Sequence, residues 1–214
     1  SSSVTAKRLL EKMGAHVEAI HNEPSGININ VHCGSTHPES LQELVRNGNY
    51  DLGLAFDGDA DRLIAVDSQG NLMNGDTILY ICGKYLESKN ELNNHVVVST
   101  VMANLGFFKA LEKCGLKSVS TQVGDKYVYD CMVKNDYVLG GEQSGHIIFK
   151  KHATTGDRLL TALKLIEVMK NTGKSAIELS EGLVIFPQLL VNQKVKDKTV
   201  VLNDEEINQA IDQV

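Results

Sequence analysis

Apolar and polar residues alternate along the chain in two patterns, one typical of helices and the other typical of strands. Near the start, Val4, Leu9, Leu10 and Met13 recur at helical spacing, and Gly14 ends the pattern. Further along, short apolar runs bounded by turn residues predict strands that alternate with helices. This alternation predicts an α/β fold with mixed, mainly parallel sheets joined by right-handed crossovers.

The same pattern gives bounds for the predicted elements. The predicted strands are residues 16–20, 52–57, 63–66, 96–99, 119–123 and 137–139. The predicted helices are residues 4–13, 37–47, 77–86, 105–114, 126–134, 158–169 and 203–214. We expect Thr36 to cap the second helix in a capping box with Glu39. We expect Asp76 to cap the third helix, and Asp157 or Thr155 to cap the sixth.

The spacing of these elements fits two similar three-layer α/β units better than one domain. We place their boundary near Gly75, which gives units at residues 1–75 and 76–186. Pro187 precedes an extended run, so residues 187–214 are predicted to be a linker and the start of another unit. Because an α/β unit usually opens with a strand, the helix at the start suggests that an upstream strand is missing.

Three alternating aspartates follow the apolar run at residues 52–56. Asp57, Asp59 and Asp61 leave a buried strand within one short turn, where unit charges about 4 Å apart repel by about 4 kcal/mol at an effective dielectric constant of about 20. A divalent cation removes this cost, and oxygen ligands suit a hard ion. The spacing therefore predicts a Mg²⁺ site.

Three other interpretations of these aspartates compete with a Mg²⁺ site. An EF-hand calcium loop needs glycine and glutamate where this sequence has Arg62 and Ser68. An acidic surface turn and a haloacid dehalogenase-type phosphatase, with Asp57 as nucleophile, stay open. In the phosphatase motif, Asp61 stands where threonine or valine is preferred. Arg62 offers a planar fork for a phosphate oxygen, so metal and arginine together indicate phosphoryl chemistry.

Composition excludes several other classes of function. The formal net charge of −6 argues against a nucleic-acid partner, and no apolar run reaches the roughly 20 residues of a membrane helix. The four cysteines lie far apart, without the spacing of a zinc site. Reduced thiols in a cytoplasmic protein are the expected state. The sequence does not predict an oligomeric state.

Two further segments carry candidate site residues. Residues 140–146 contain three glycines between apolar strands, and Glu142, Ser144 and His146 offer hydrogen bonds to sugar hydroxyls. A polar hairpin without a ligand is the alternative. Asp125 and Lys126 lie where a strand gives way to a helix, a usual place for ligands in α/β sheets. A helix cap is the alternative for Asp125.

Five motifs together resemble the α-D-phosphohexomutase superfamily. They are D-G-D-A-D-R at 57–62, G-E-Q-S-G-H at 141–146, N-x-N-x-x-C-G-S-T-H-P at 28–38, V-G-D-K-Y-V at 123–128 and T-T-G-D at 154–157. Gln143 and Ala60 favour the branch that acts on glucosamine phosphates over the phosphomannomutase relatives.

The resemblance implies an enzyme that interconverts hexosamine phosphates. In that superfamily a serine donates its phosphoryl group to glucosamine 6-phosphate, and the bisphosphate intermediate reorients and returns the other phosphate, leaving glucosamine 1-phosphate. The resemblance implies that Asp57, Asp59 and Asp61 bind Mg²⁺ and that Arg62 lies near the transferring phosphate. Another phosphohexomutase, acting on mannose or glucose phosphates, is the alternative.

The resemblance also implies roles for the glycine-rich segment and for the units. Glu142 and Ser144 match the sugar-binding loop, with His146 close to the ligand. Residues 1–75 resemble an incomplete domain two, residues 76–186 domain three, and residues 187–214 a linker and the start of domain four. The superfamily's serine motif, of the type T-A-S-H-N-P, occurs nowhere in the sequence, so we expect no turnover by this chain alone. A non-catalytic module that binds metal or sugar phosphate is the other alternative.

One residue departs from the superfamily pattern. Arg158 follows the T-T-G-D motif, at a position where the superfamily usually has glycine.

Overall fold

The computed structural model describes residues 2–212, so Ser1 and the last two residues of the predicted C-terminal helix lie outside the described part. The helices are α1 (Ser2–Lys12), α2 (Glu39–Asn47), α3 (Gly75–Ser88), α4 (Leu105–Lys113), α5 (Asp125–Lys134), α6 (Arg158–Thr172), α7 (Ala176–Ser180), α8 (Lys198–Leu202) and α9 (Glu205–Asp212), with a 3₁₀ turn at Asn93–His95. The strands are β1 (Leu52–Phe56), β2 (Leu63–Asp67), β3 (Leu72–Met73), β4 (Val96–Thr100), β5 (Lys117–Thr121), β6 (Leu139–Gly141) and β7 (Ile147–Phe149). None of the helices in this described range is long and apolar enough to cross a membrane.

The strands form two sheets, which confirms the predicted α/β class with mixed pairing. The second sheet has the order β5-β4-β6-β7, in which β4 runs parallel to β5 and β6, and β7 is antiparallel. The first sheet has the order β1-β2-β3 and is antiparallel in its described strands, whereas mainly parallel pairing was expected. The connections between these strands are too short for a parallel crossover, which needs about a dozen residues.

The strand predicted at residues 16–20 is wrong. These residues have no regular secondary structure and are exposed or half-buried. Within the described residues, β1 pairs only with β2, so no strand lies alongside residues 16–20 to accept their backbone hydrogen bonds. An apolar run without a ladder partner does not become a strand.

Two predicted helix caps are also wrong, because the helices begin elsewhere. Helix α2 begins at Glu39 after Pro38, so Thr36 lies too far upstream, and no side chain caps the helix. Helix α3 begins one residue before Asp76, and its cap is Asn74, whose side chain accepts the backbone N–H of Thr77.

The cap predicted for the long helix is confirmed. The Asp157 carboxylate accepts the backbone N–H groups of Leu159 and Leu160, so α6 begins at Arg158. The cap fixes where this helix starts relative to the loops around it.

One large hydrophobic core joins the two sheets and the helices between them. It contains Leu63 of β2, Ile78 of α3, Leu139 of β6 and Leu165 of α6, all of which are fully buried. Because α3 and α6 pack on each other and on strands of both sheets, the loops at the ends of β1 and β6 are held in fixed positions. The domain boundary near Gly75 and the linker at residues 187–214 stay predictions.

Candidate functional site

The three predicted aspartates lie in the acidic loop, residues 57–62, between β1 and β2. The Asp57 Oδ1 atom accepts the backbone N–H groups of Ala60 at 3.1 Å and of Arg62 at 3.3 Å. Asp57 and Asp61 are half-buried, whereas Asp59 and Arg62 are exposed. The Asp57 carboxylate therefore stabilises the turn through two backbone hydrogen bonds.

The glycine-rich loop, residues 140–146, lies directly beside the acidic loop. The His146 Nδ1 atom is 3.1 Å from Asp61 Oδ2, and the backbones of Arg62 and His146 form an isolated antiparallel bridge. The next amide, of Leu63, donates to the carbonyl of Gly145 at 3.1 Å. Backbone and side-chain contacts thus join two motifs whose contacting residues Asp61 and His146 are 85 residues apart in the chain.

His146 is buried between three segments instead of facing solvent. Its residue exposure is 4 %, and its Nε2 atom accepts the backbone N–H of Gly156 at 3.0 Å. Because Nε2 accepts, the proton of the neutral ring lies on Nδ1, which donates to Asp61. A Cβ atom at Gly156 would lie 2.7 Å from the ring, so only glycine allows this approach. His146 therefore positions the acidic loop.

The other predicted binding residues lie in the glycine-rich loop and at the start of α5. Glu142 Oε1 accepts the backbone N–H of Gly124 at 2.9 Å, and the Ser144 hydroxyl donates to Glu142 Oε2 at 3.4 Å. Asp125 and Lys126 are exposed at the start of α5, where Asp125 Oδ1 accepts the backbone N–H of Lys126 at 2.7 Å. The N-cap of this helix is Gly124, so the alternative of Asp125 as the cap is wrong.

Arg158 is the site residue whose role the sequence reasoning missed. It is 2 % exposed, and its Nη1 atom donates to the backbone carbonyl of Asp57 at 2.6 Å and lies 3.4 Å from Asp57 Oδ1. The guanidinium carbon is 5.4 Å from the centre of the Phe56 ring. One signal was available in the sequence. A cation in the first turn of a helix is disfavoured by the helix dipole, so it needs an anion from elsewhere.

Burial and neighbouring groups shift the pKa values of this pair. Burial raises the pKa of Asp57, but its interaction with the Asp61 side chain and the hydrogen bonds that it accepts from the backbone N–H groups of Arg62 and Ala60 prevail and lower it. Burial lowers the pKa of Arg158, and the charge of Asp57 opposes that fall. The lowered pKa favours the carboxylate form of Asp57, and a guanidinium stays protonated in proteins, so the two groups form an ion pair.

The acidic loop fits a divalent cation in its donor atoms but not in their arrangement. All three aspartates offer oxygen ligands. The buried Oδ1 atom of Asp61 has no hydrogen-bond partner, so its lone pairs could coordinate a cation. However, across residues 2–212 no three His, Cys, Asp or Glu side chains are grouped so that they could hold a metal. Asp57 faces Arg158 and Asp61 faces His146 instead.

Comparison with known families shows which protein family the chain belongs to. Residues 1–70 match the model of phosphoglucomutase/phosphomannomutase alpha/beta/alpha domain II, and residues 74–185 match that of alpha/beta/alpha domain III. The chain belongs to the phosphoglucomutase/phosphomannomutase family. The acidic loop lies within the first match and the glycine-rich loop within the second.

Within this family, the chain is similar to curated relatives that share one name. The chain is 54% identical over 206 residues to phosphoglucosamine mutase of Limosilactobacillus reuteri, covering 96% of this chain and 46% of the relative. It is 52% identical over 214 residues to the enzyme of the same name from Bacillus subtilis, covering 100% of this chain and 48% of the relative. The chain thus spans about half the length of the curated relatives it matches.

A solved structure of an Aspergillus fumigatus enzyme confirms the fold. That structure is of N-acetylphosphoglucosamine mutase in complex with GlcNAc-6P and magnesium. It is similar to this chain with a TM-score of 0.69 at 19% identity, covering 92% of this chain and 50% of the other.

A second polar network anchors the glycine-rich loop of this phosphoglucomutase/phosphomannomutase family member through Gln143. The fully buried Asp76 accepts the backbone N–H of Asn104 at 2.8 Å and the Gln143 side-chain amide at 3.3 Å. Gln143 also donates to Gln188 Oε1 at 3.3 Å, which ties the loop to the segment after α7. Burial raises the pKa of Asp76 to about 6, although both hydrogen bonds oppose the rise.

This pKa predicts a pH-dependent stability. Because the folded Asp76 keeps its proton at a higher pH than the unfolded one, the free energy of unfolding falls as the pH rises from about 4 to about 6. The contribution is about 2–3 kcal/mol, and Asp76→Asn is expected to remove it. Urea unfolding of both proteins across this pH range measures the difference. The exposed Asp130→Asn serves as control, and parallel curves for Asp76→Asn and the unaltered chain would contradict the prediction.

Proposed function

We propose that this chain forms the sugar- and phosphate-binding portion of a phosphoglucosamine mutase. The observation that carries the proposal is the contact between Asp61 and His146, which supports a single binding site made of the acidic loop and the glycine-rich loop. Identities of 52% and 54% to phosphoglucosamine mutases support the choice of this enzyme within the family.

The proposed reaction interconverts glucosamine 6-phosphate and glucosamine 1-phosphate. A phosphoserine of the whole enzyme donates its phosphoryl group to the free sugar oxygen, which gives a bisphosphate, and the other phosphate then returns to the serine. The cycle balances because the serine gives one phosphoryl group to the sugar and receives the sugar's other phosphoryl group in return. The serine motif does not occur in this sequence, so this chain alone is expected not to turn over.

The polar side chains in and beside the two loops are candidates for contacts with the substrate. Arg62 is proposed to contact the transferring phosphate, and Glu142 and Ser144 to bind sugar hydroxyls. Asp125 and Lys126 lie at the start of α5, next to Gly124, which donates to Glu142, and are further candidates. Since His146 is buried, its proposed role is to position the two loops.

Magnesium is the proposed cofactor of the whole enzyme. Asp57, Asp59 and Asp61 would hold it, because their carboxylates are ligands that a hard cation prefers. The ion would supply positive charge beside the phosphate. In the present arrangement the three carboxylates do not converge, so binding requires that their neighbours move.

Other functions have less support. A haloacid dehalogenase-type phosphatase would use Asp57 as its nucleophile, but Asp57 binds Arg158 and two backbone amides, which leaves it poorly placed for that role. A mutase for mannose or glucose phosphates is the second candidate within the family, because the family models bear those names. We further propose cytoplasmic localisation and no nucleic-acid or membrane partner. A non-catalytic module is compatible with a chain that binds ligand without turnover.

Calorimetric titration with glucosamine 6-phosphate tests the proposal. We expect saturable binding that Glu142→Gln weakens by about tenfold or more, because a charged acceptor for the sugar is lost while the contact with Gly124 is kept. The exposed Glu112→Gln on α4 is the matched control and should bind unchanged. Mannose 6-phosphate should bind more weakly than the amino sugar.

Three results would contradict the proposal. They are absence of binding, equal affinities of the Glu142 and Glu112 variants, and tighter binding of mannose 6-phosphate. Formation of glucosamine 1-phosphate by this chain alone, in a coupled assay, would refute the expected lack of turnover.

A further inference from the structure

Arg158 is a buried cation aimed at the acidic loop. Its side chain is 2 % exposed, and its Nε atom is buried without a hydrogen-bond partner. A buried guanidinium is retained only where an anion and hydrogen bonds compensate its lost hydration. Within the described residues, the hydrogen bonds that Arg158 donates go to Asp57, to its backbone carbonyl at 2.6 Å and its carboxylate at 3.4 Å, and the charges of Asp157 and Asp61 add to the compensation.

The Arg158 guanidinium supplies at Asp57 the positive charge that a divalent cation would otherwise supply. A guanidinium and a divalent cation at the same carboxylate repel each other strongly in a half-buried site. Across the described residues, the acidic side chains are not grouped for a metal, and Asp61 Oδ1 is left without a partner. The loop is therefore arranged around Arg158.

We propose that Arg158 is an internal counter-cation of the acidic loop, which a divalent cation must displace from Asp57 before it binds. Arg158 thereby sets the affinity of the loop for divalent cations, and it acts as a positioning residue for Asp57. The proposal rests on the proposed function in one respect, that the acidic loop takes a divalent cation.

Calorimetric titration with MgCl₂ alone tests this proposal, with Arg158→Met as the variant. Methionine keeps apolar bulk against Phe56 and removes the charge. We expect this variant to bind Mg²⁺ about tenfold or more tightly than the unaltered chain, since the competing cation is gone. Arg8→Met, at an exposed arginine of α1, controls for the overall change in charge and should bind like the unaltered chain.

The outcomes separate this proposal from the proposed function. Equal Mg²⁺ affinities of Arg158→Met and the unaltered chain would overturn the role of Arg158 and leave the magnesium site standing. If neither the unaltered chain nor Arg158→Met binds Mg²⁺, both the role of Arg158 and the magnesium site would be overturned. A thermal shift on adding Mg²⁺ that is larger for Arg158→Met than for Arg8→Met would support the proposal independently.

A second measurement needs only the unaltered chain, so it decides the question if Arg158→Met does not fold. In an NMR titration with Mg²⁺, the side-chain Nε–H resonance of Arg158 is expected to shift together with the amides of Asp59 and Ala60, with one common midpoint. Amide shifts in the loop without a shift of the Arg158 resonance would overturn the proposal, as would no shift in either.

Discussion

Replacing Gly145 with alanine is expected to lower the free energy of unfolding by about 4 kcal/mol, one of the largest effects in this protein. Gly145 has a φ of +94°, and a Cβ atom at this position would overlap the backbone carbonyl of Leu63. The backbone cannot yield, because the Leu63 amide donates to the Gly145 carbonyl and both residues are buried. Urea unfolding followed by circular dichroism measures the loss.

Gly115→Ala is the matched control for the steric part of this effect. Gly115 also has a positive φ, of +75°, but no atom lies within 4 Å of the position that its Cβ would take. Its substitution is expected to cost only about 1–2 kcal/mol, from backbone strain alone. Equal losses for the two variants would show that Gly145 is not closely packed against Leu63 at the start of β2.

The second large effect is expected at Asp57. Asp57→Ala should lower the free energy of unfolding by about 3–5 kcal/mol, because it leaves the buried guanidinium of Arg158 without its anion. The variant also removes the acceptor for two backbone amides of the acidic loop. The measurement is urea unfolding in the presence of a chelator, so that no divalent cation contributes.

Asp59→Ala gives the comparison for Asp57. Asp59 is exposed, so its removal should change the free energy of unfolding by no more than about 0.5 kcal/mol. Three aspartates that served only as metal ligands would instead give equal, small effects in the absence of metal. Similar stabilities of the Asp57 and Asp59 variants would therefore contradict the ion pair described here.

Sequence reasoning predicted the features that depend on local pattern. The apolar run of β1 followed by alternating aspartates predicted both the strand and the acidic loop, because the change from apolar to charged residues is abrupt. The cap of α6 at Asp157 followed from its residue type and the apolar helix after it. The family motifs implied a metal-binding role for the acidic loop and a sugar-binding role for the glycine-rich loop.

Features that depend on distant contacts were not predictable in this way. The burial of His146 depends on Gly156 and Asp61, and Asp61 lies 85 residues away in the chain. The pairing of Arg158 with Asp57 spans 101 residues, and no spacing rule connects them. The antiparallel pairing of β1 with β2, by contrast, is what their short connection favours. The expectation of mainly parallel pairing came from the alternation of helices and strands along the whole chain.

An NMR titration of the chain with glucosamine 6-phosphate tests most directly whether the two loops form one binding site. We expect the amides of residues 57–62 and of residues 141–146 to shift together, with one common dissociation constant, while the amides of α9 stay unchanged. Shifts confined to one of the two loops, or centred elsewhere on the protein, would contradict the account.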